Sequence, residues 1–219
     1  MGKDVVTVTV DKAVDGTDIY ETGTFEFEPG VTVLLGCNGS GKTNLMRLLS
    51  EEIGRRRKIP CYWYDIRKAD STLGARAFVS GKDVADHLLS NFLSEGEKMK
   101  HQLSKLVGEL GSFVFSDDVK DAGEAWIFFD SLDSGWSIDN CREFVELTRT
   151  IFESNPEGVR IYLLIAANAY EFARQDGWAK LDVQTGGYLP RFESFDSYDT
   201  YAKYVMGTRE RKDRIWGDR

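Results

Sequence analysis

The chain has 219 residues, 42% of them hydrophobic and 12% aromatic, which supports one sizeable core rather than two and excludes a disordered chain. Its net charge of -8 disfavours nucleic-acid binding by the surface as a whole, while leaving room for a local basic groove. No apolar run approaches the roughly 18 to 20 residues of a membrane helix, and MGKDVVTVTV lacks an apolar signal region with a cleavage site, so a cytoplasmic protein without direct membrane insertion is expected.

In chain order, VVTVTV (Val5 to Val10) alternates branched residues with threonine and reads as an edge or outer strand. The turn-rich DKAVDGTD follows. TFEFE (Thr24 to Glu28) alternates again, Pro29-Gly30 turns the chain, and VTVLL (Val31 to Leu35) is a continuous apolar strand. This predicts a hairpin feeding a buried strand. After a glycine-rich loop, Lys42 to Ile53 predicts a helix with Leu45, Met46, Leu48, Leu49 and Ile53 on one side.

Pro60 to Ile66 predicts a buried strand and Asp83 to Phe92 a helix. A stronger helix spans Glu95 to Leu110, with Met99, Leu103, Leu106, Val107 and Leu110 inward and Gly111 as its stop. Ser112 to Glu124 reads as a loop or small insertion. AWIFFD, ending at Asp130, is a buried strand. Ile138 to Phe152 is a helix with Ile138, Cys141, Phe144, Val145, Thr148 and Ile151 or Phe152 inward, and Ile161 to Ala167 is another buried strand. Leu181 to Arg219 is rich in Tyr and Phe; these pack a final helix on the sheet or offer a partner-docking face. Apolar strands alternating with amphipathic helices predict an α/β fold, a mainly parallel sheet flanked by helices with an N-terminal antiparallel part. Residues 1–219 read as a single domain, with 181–219 as a C-terminal extension.

Gly36-x-x-x-x-Gly41-Lys42-Thr43 satisfies the phosphate-loop pattern, with a strand before it and a helix after it. Glycines let the backbone turn its N–H groups onto phosphate oxygens, and the helix start adds its positive dipole end. Lys42 would reach the terminal phosphates and Thr43 would ligate magnesium. Asp130, ending a buried strand, would hold the same ion through water. Cys37 lies inside the loop, where its side chain either points away from the phosphates or forms a redox-sensitive thiolate. Cys61 and Cys141 read as core residues; the three cysteines have no metal-ligand spacing. Two basic clusters, Arg55 to Lys58 and Arg209 to Arg214, read either as solvated surface or as a binding patch.

Asn38-Gly39-Ser40-Gly41-Lys42-Thr43-Asn44 resembles the phosphate loop of ABC-type ATPases, in the branch of SMC heads and RecF-like repair ATPases. FEFEPGVTVLLG before it agrees. Leu93-Ser94-Glu95-Gly96-Glu97 is similar to the ABC signature LSGGQ. Trp126 to Asp130 resembles the Walker B strand, Asp133 to Asp139 the D-loop region, and Leu163 to Asn168 the switch strand. The resemblance covers roughly residues 24–173. The C-terminal DVQTG region is similar to small AAA-family ATP-binding proteins of phages and mobile elements. The resemblance implies a P-loop NTPase fold with a short helical signature subdomain at about 54–111, and ATP and Mg2+ as cofactors. Asn38, Gly39, Ser40, Gly41, Lys42, Thr43 and Asn44 would hold the nucleotide, Thr43 and Asp130 the metal. Ser94 and Gly96 would contact the terminal phosphate bound by a second subunit, giving an ATP-sandwiched head-to-tail homodimer. Lys42, Ser131 and Asn168 would occupy catalytic positions.

The chain departs from that pattern where catalysis is concerned. Ser131 stands where the family has the glutamate that polarises water, and serine is no general base at neutral pH without an activating group. Asn168 replaces the switch histidine, and Ser137 a D-loop aspartate. No glutamine lies between Thr43 and Gln102, so the Q-loop residue is missing; Asp65 or Asp70 could replace it. The expectation is firm ATP binding with slow or absent hydrolysis, unless Asp133 or a partner's carboxylate serves as base. A nucleotide-dependent switch acting on a protein partner leads. An active ATPase working on DNA and a transporter energy subunit are the alternatives, the last disfavoured by the short segment from Asn44 to Phe92. Tyr20 is the candidate for adenine stacking.

Overall fold

The computed structural model describes residues 5–14, 17–65, 95–132, 136–156, 158–189 and 195–216, with the backbone alone at 65, 95–102 and 216. Its centre is a five-stranded sheet in the order β6-β7-β8-β5-β9, formed by β5 (Gly30–Leu35), β6 (Cys61–Asp65), β7 (Glu124–Asp130), β8 (Arg160–Ala166) and β9 (Ala179–Asp182). All neighbours pair in parallel. Such strands must be apolar on both faces, and all seven residues of β7 are buried.

Successive side chains divide between two cores, as the pleat requires. Val31, Val33 and Leu35 of β5, Ile127 and Phe129 of β7, and Leu163 and Ile165 of β8 face one core. There they meet α2 (Glu95–Val114), α3 (Asp117–Ala122), α4 (Ile138–Glu153) and α5 (Tyr170–Ala173). Tyr201 of the final helix α6 (Tyr198–Trp216) joins the same core. Leu34, Trp126, Phe128, Tyr162 and Leu164 face the other, against α1 (Lys42–Ser50) and a small antiparallel layer. Trp126 and Tyr162 stack at 4.5 Å there, and Phe27 meets Trp126 edge-on at 5.4 Å.

The antiparallel layer is the predicted N-terminal antiparallel part, but Pro29-Gly30 does not close a hairpin. β4 (Thr24–Phe27) does not pair with β5; it pairs with β1 (Val6–Thr9), Phe25 opposite Val8. β5 is apolar on both faces and has both edges taken by β8 and β9. β4 buries only alternate residues, so it covers one face of the main sheet instead of extending it. The stretch read as turns contains a short hairpin of its own, β2 (Ala13–Val14) with β3 (Thr17–Asp18).

Helix limits shift for similar reasons. The first helix continues past Ser50 as a π-wound turn over Glu51–Arg56. α2 runs through Gly111 to Val114, because buried Leu110 and Val114 extend its apolar stripe. That packing outweighs the roughly 1 kcal/mol a helical glycine costs. Ser112 to Glu124 is no loop: it completes α2, holds α3 capped by the Ser116 hydroxyl, and starts β7. Val107 is exposed. Ile138 is too, because it is the first residue of α4 and the inward stripe begins a turn later at Cys141. The predicted helix from Asp83 to Phe92 lies outside the described residues. Among the described residues, no helix is long and apolar enough to cross a membrane.

Candidate functional site

Parallel pairing brings the C-terminal ends of β5, β8 and β7 to one edge of the sheet. β8 lies between the other two, with Ala166 in register with both Leu34 and Asp130. Ligands of open α/β sheets bind at this edge. The residues that follow each strand are Gly36 to Gly41, then Ala167 to Ala169, then Ser131.

The loop after β5 is closed by glycine geometry. Gly36 has φ +143°, and a Cβ there would lie 2.4 Å from Ser40 Oγ. Gly41 has φ +97°, and a Cβ would meet Ile19 Cδ1 and Tyr20 Cε1 at 2.9 Å each. The Tyr20 hydroxyl donates to the Gly41 carbonyl at 2.8 Å and accepts from Asn44 Nδ2 at 3.2 Å. No side chain caps the start of α1, which leaves its first N–H groups for an anion. The buried Ser40 hydroxyl has no hydrogen-bond partner among the described residues.

Lys42 folds back into the loop. Its Nζ donates to the Gly36 carbonyl at 2.7 Å, the Cys37 carbonyl at 3.1 Å and Asn168 Oδ1 at 2.9 Å. Asn168 Nδ2 donates in turn to Asn38 Oδ1 at 2.7 Å. One amide group therefore bridges the loop lysine and the loop apex.

On the β7 side of β8, the Thr43 hydroxyl donates to Asp130 Oδ1 at 3.0 Å. The Ser131 hydroxyl donates to the same oxygen at 3.2 Å. Asp130 is 1% exposed. Ser131 sits at φ +60°, a conformation costly for a residue with a side chain, and its N–H donates to the Ala166 carbonyl at 2.9 Å. Among the described residues no group of three or more His, Cys, Asp or Glu could hold a metal by itself. A hydroxyl and a carboxylate converging beside a phosphate loop do fit Mg2+, which takes hard oxygens and completes its shell with phosphate and water.

Asn38, Gly39, Ser40, Gly41, Lys42, Thr43, Asn44, Asp130, Ser131 and Asn168 share one sheet edge. Ser94 lies outside the described residues, and Gly96 is known only as backbone in the first turn of α2. Asp133 and Asp70 lie outside as well, and Asp65 ends β6 in register with Asp130. Ser137 caps α4 by accepting the Asn140 N–H.

Three further residues differ from, or decide between, the readings offered by sequence. Tyr20 cannot stack on adenine: its ring is 2% exposed beneath Gly41. Burial pushes its hydroxyl up to about 12 against the opposing bond from Asn44. Cys37 has no exposed surface, which favours the alternative in which its side chain points away from the phosphates. Cys61 is only partly buried rather than a full core residue, and burial followed by the charge of Glu124 pushes its thiol up to about 12.

The sequence predicts a final helix in this segment, and α6 is that helix; what it does not predict is that α6 bonds the glycine loop and Asn168. Thr208 Oγ1 accepts the Cys37 N–H at 2.8 Å, the Tyr201 hydroxyl donates to the Asn168 carbonyl at 2.9 Å, and Lys212 Nζ lies 3.4 Å from the Asn38 carbonyl. Tyr204 and Arg211 both donate to Asp182 Oδ2 at the end of β9. Burial, then the charge of Asp182, raises the Tyr204 hydroxyl above its ordinary range. The available signal was a polar stripe at helical spacing, which hydrophobic periodicity does not register. A cavity of about 420 Å³ opens at the opposite end of β5, beside Gly30, Phe152 and Trp178, away from all of these residues. No family model and no curated protein matches the chain.

Proposed function

We propose that the chain is an ABC-type ATP-binding protein of the SMC/RecF-like branch. It takes Mg-ATP on the loop Gly36 to Thr43, dimerises head to tail on the nucleotide, and hydrolyses it slowly or not at all. One observation carries this reading: at one glycine loop, the first two residues of α1 reach the ends of two other strands, Lys42 bonding Asn168 just past β8 and Thr43 bonding Asp130 at the end of β7. Those are the groups that phosphate and magnesium recognition need. Lys42 would exchange the Asn168 amide oxygen for a phosphate oxygen. Thr43 and Asp130 would hold Mg2+, which when bound neutralises charge on the phosphates.

Slow turnover follows from Ser131. Its hydroxyl is committed to Asp130 and accepts no proton at neutral pH, and a missing general base forfeits about 10²- to 10⁴-fold in rate. Dimerisation rests on the resemblance of Leu93 to Glu97 to the ABC signature. Such a protein acts as a nucleotide-dependent switch on a protein partner.

Size-exclusion chromatography with ATP and Mg2+, read beside phosphate release, tests this in wild type and Lys42→Ala. The expected result is a nucleotide-dependent dimer with negligible turnover, lost in the variant. Brisk Lys42-dependent turnover overturns the switch in favour of an active ATPase. No response to nucleotide in either assay overturns the whole reading.

A further inference from the structure

We infer that Lys212, presented by the C-terminal helix α6, is a second phosphate-binding cation of the nucleotide site. The inference rests on the nucleotide reading above and adds to it a residue far outside the loop motif.

One face of α6 carries Tyr201, Tyr204, Thr208, Arg211 and Lys212. Tyr201 holds the Asn168 carbonyl, Thr208 the Cys37 N–H, and Tyr204 and Arg211 the buried Asp182. These bonds, spread over several turns, fix the helix against the loop and against Asn168. The next residue along, Lys212, then has its place dictated. Its stem crosses the loop apex, where a Cβ on Gly39 would stand 3.7 Å from Lys212 Cδ and 3.8 Å from Nζ.

The charge there is weakly satisfied. Lys212 Nζ reaches the Asn38 carbonyl at 3.4 Å and Asp213 Oδ1 at 3.7 Å. Both contacts are long for an ammonium with three donors. Arg211, one residue before, is neutralised by Asp182, while Arg209 and Arg214 are exposed. Lys212 is the cation of this helix held over the phosphate loop, with its side chain only 26% exposed. A polyphosphate seated on the amides after Gly39 brings several negative charges within reach of its flexible stem. The ammonium then exchanges a carbonyl contact for a charge-assisted one. The ligand class is the phosphate chain of a nucleoside triphosphate.

Isothermal titration of Mg-ATP into the full chain tests the assignment with wild type, Lys212→Met, Lys212→Arg and Lys203→Met. Lys203 is an exposed lysine of the same helix, so its variant carries the same change in net charge. The expected result is about tenfold weaker binding for Lys212→Met, the scale of one charge-assisted bond. Lys212→Arg should recover most of the loss, and Lys203→Met should bind as wild type. Wild-type affinity in Lys212→Met, or equal weakening in Lys212→Met and Lys203→Met, overturns the inference and leaves the nucleotide reading standing. Absence of ATP binding by wild type removes the nucleotide reading and the inference with it. Thermal melting of each variant separates a lost contact from a lost fold.

Discussion

Lys42 Nζ donates to Asn168 Oδ1 at 2.9 Å across 126 residues of chain. The amide is neutral, so this bond does not itself cancel the charge of the lysine. Asn168→Asp puts a carboxylate of nearly the same shape at that point. The pair becomes ionic, and an arriving phosphate must displace and face a negative charge. ATP affinity should fall by at least about 30-fold, on the scale of a close like-charge contact, with no loss of thermal stability in the nucleotide-free protein. Calorimetric titration and a melt decide it together. Unchanged ATP affinity would remove Asn168 from the phosphate site.

Ser131 offers the converse experiment. Its hydroxyl donates to the Asp130 oxygen that also accepts from Thr43, and its backbone is already left-handed. A replacement there meets no conformational demand that serine does not. Ser131→Glu introduces a carboxylate able to polarise water next to the phosphate loop. Phosphate release at saturating Mg-ATP should rise by at least about tenfold, a fraction of what a well-placed base contributes. Lys42→Ala in the same background supplies the blank. A rate equal to wild type would mean that something other than a missing base limits turnover.

The parts of this site that were legible in sequence are those fixed by local backbone chemistry. Gly36 and Gly41 are required by positive φ and by atoms closer than 3 Å to an added Cβ, so their spacing survives as a pattern. β5, β7 and β8 were legible because strands buried on both faces must be apolar throughout. What escaped notice depended on distant partners. The true neighbour of β4 is β1, which no turn signal encodes. The bond from Cys37 N–H to Thr208 spans 171 residues, and the face of α6 that makes such contacts carries Thr, Arg and Lys where a periodicity search looks for apolar side chains. Tyr20 failed differently. An aromatic near a phosphate loop invites a stacking role, but Gly41 leaves room beneath the loop and the ring fills it.

Asp130 is nearly inaccessible and accepts from two hydroxyls, Thr43 and Ser131. Both bonds are available to an amide oxygen, so Asp130→Asn should fold as well as wild type. Its effect should appear when magnesium is present. ATP affinity measured in EDTA should match wild type, whereas the gain on adding Mg2+ should shrink by about tenfold or more. That loss corresponds to one of the few protein oxygens such an ion takes. An identical magnesium response in both proteins would place the ion elsewhere.

Tyr20 ties the loop to the layer beneath it, and its hydroxyl gives that tie a pH signature. Burial raises it from the ordinary 10.0 to about 12. Below pH 10 both the folded and the unfolded chain hold the proton, and the contribution to stability is fully present. Between pH 10 and 12 the unfolded chain releases the proton first, so stability falls as pH rises through this window. The slope is about 1.4 kcal/mol per pH unit, or roughly 2.7 kcal/mol in all. Half-buried Tyr62 and Tyr204 are raised as well and steepen the wild-type curve, so the comparison must be with Tyr20→Phe. That variant should start about 1 kcal/mol less stable at pH 8 for want of the bond to Gly41. It should then lose about 2.7 kcal/mol less stability than wild type between pH 10 and 12, so the two curves should cross within that window. Urea midpoints measured across this range give the answer; parallel curves would show that the Tyr20 hydroxyl ionises as it does in the unfolded chain.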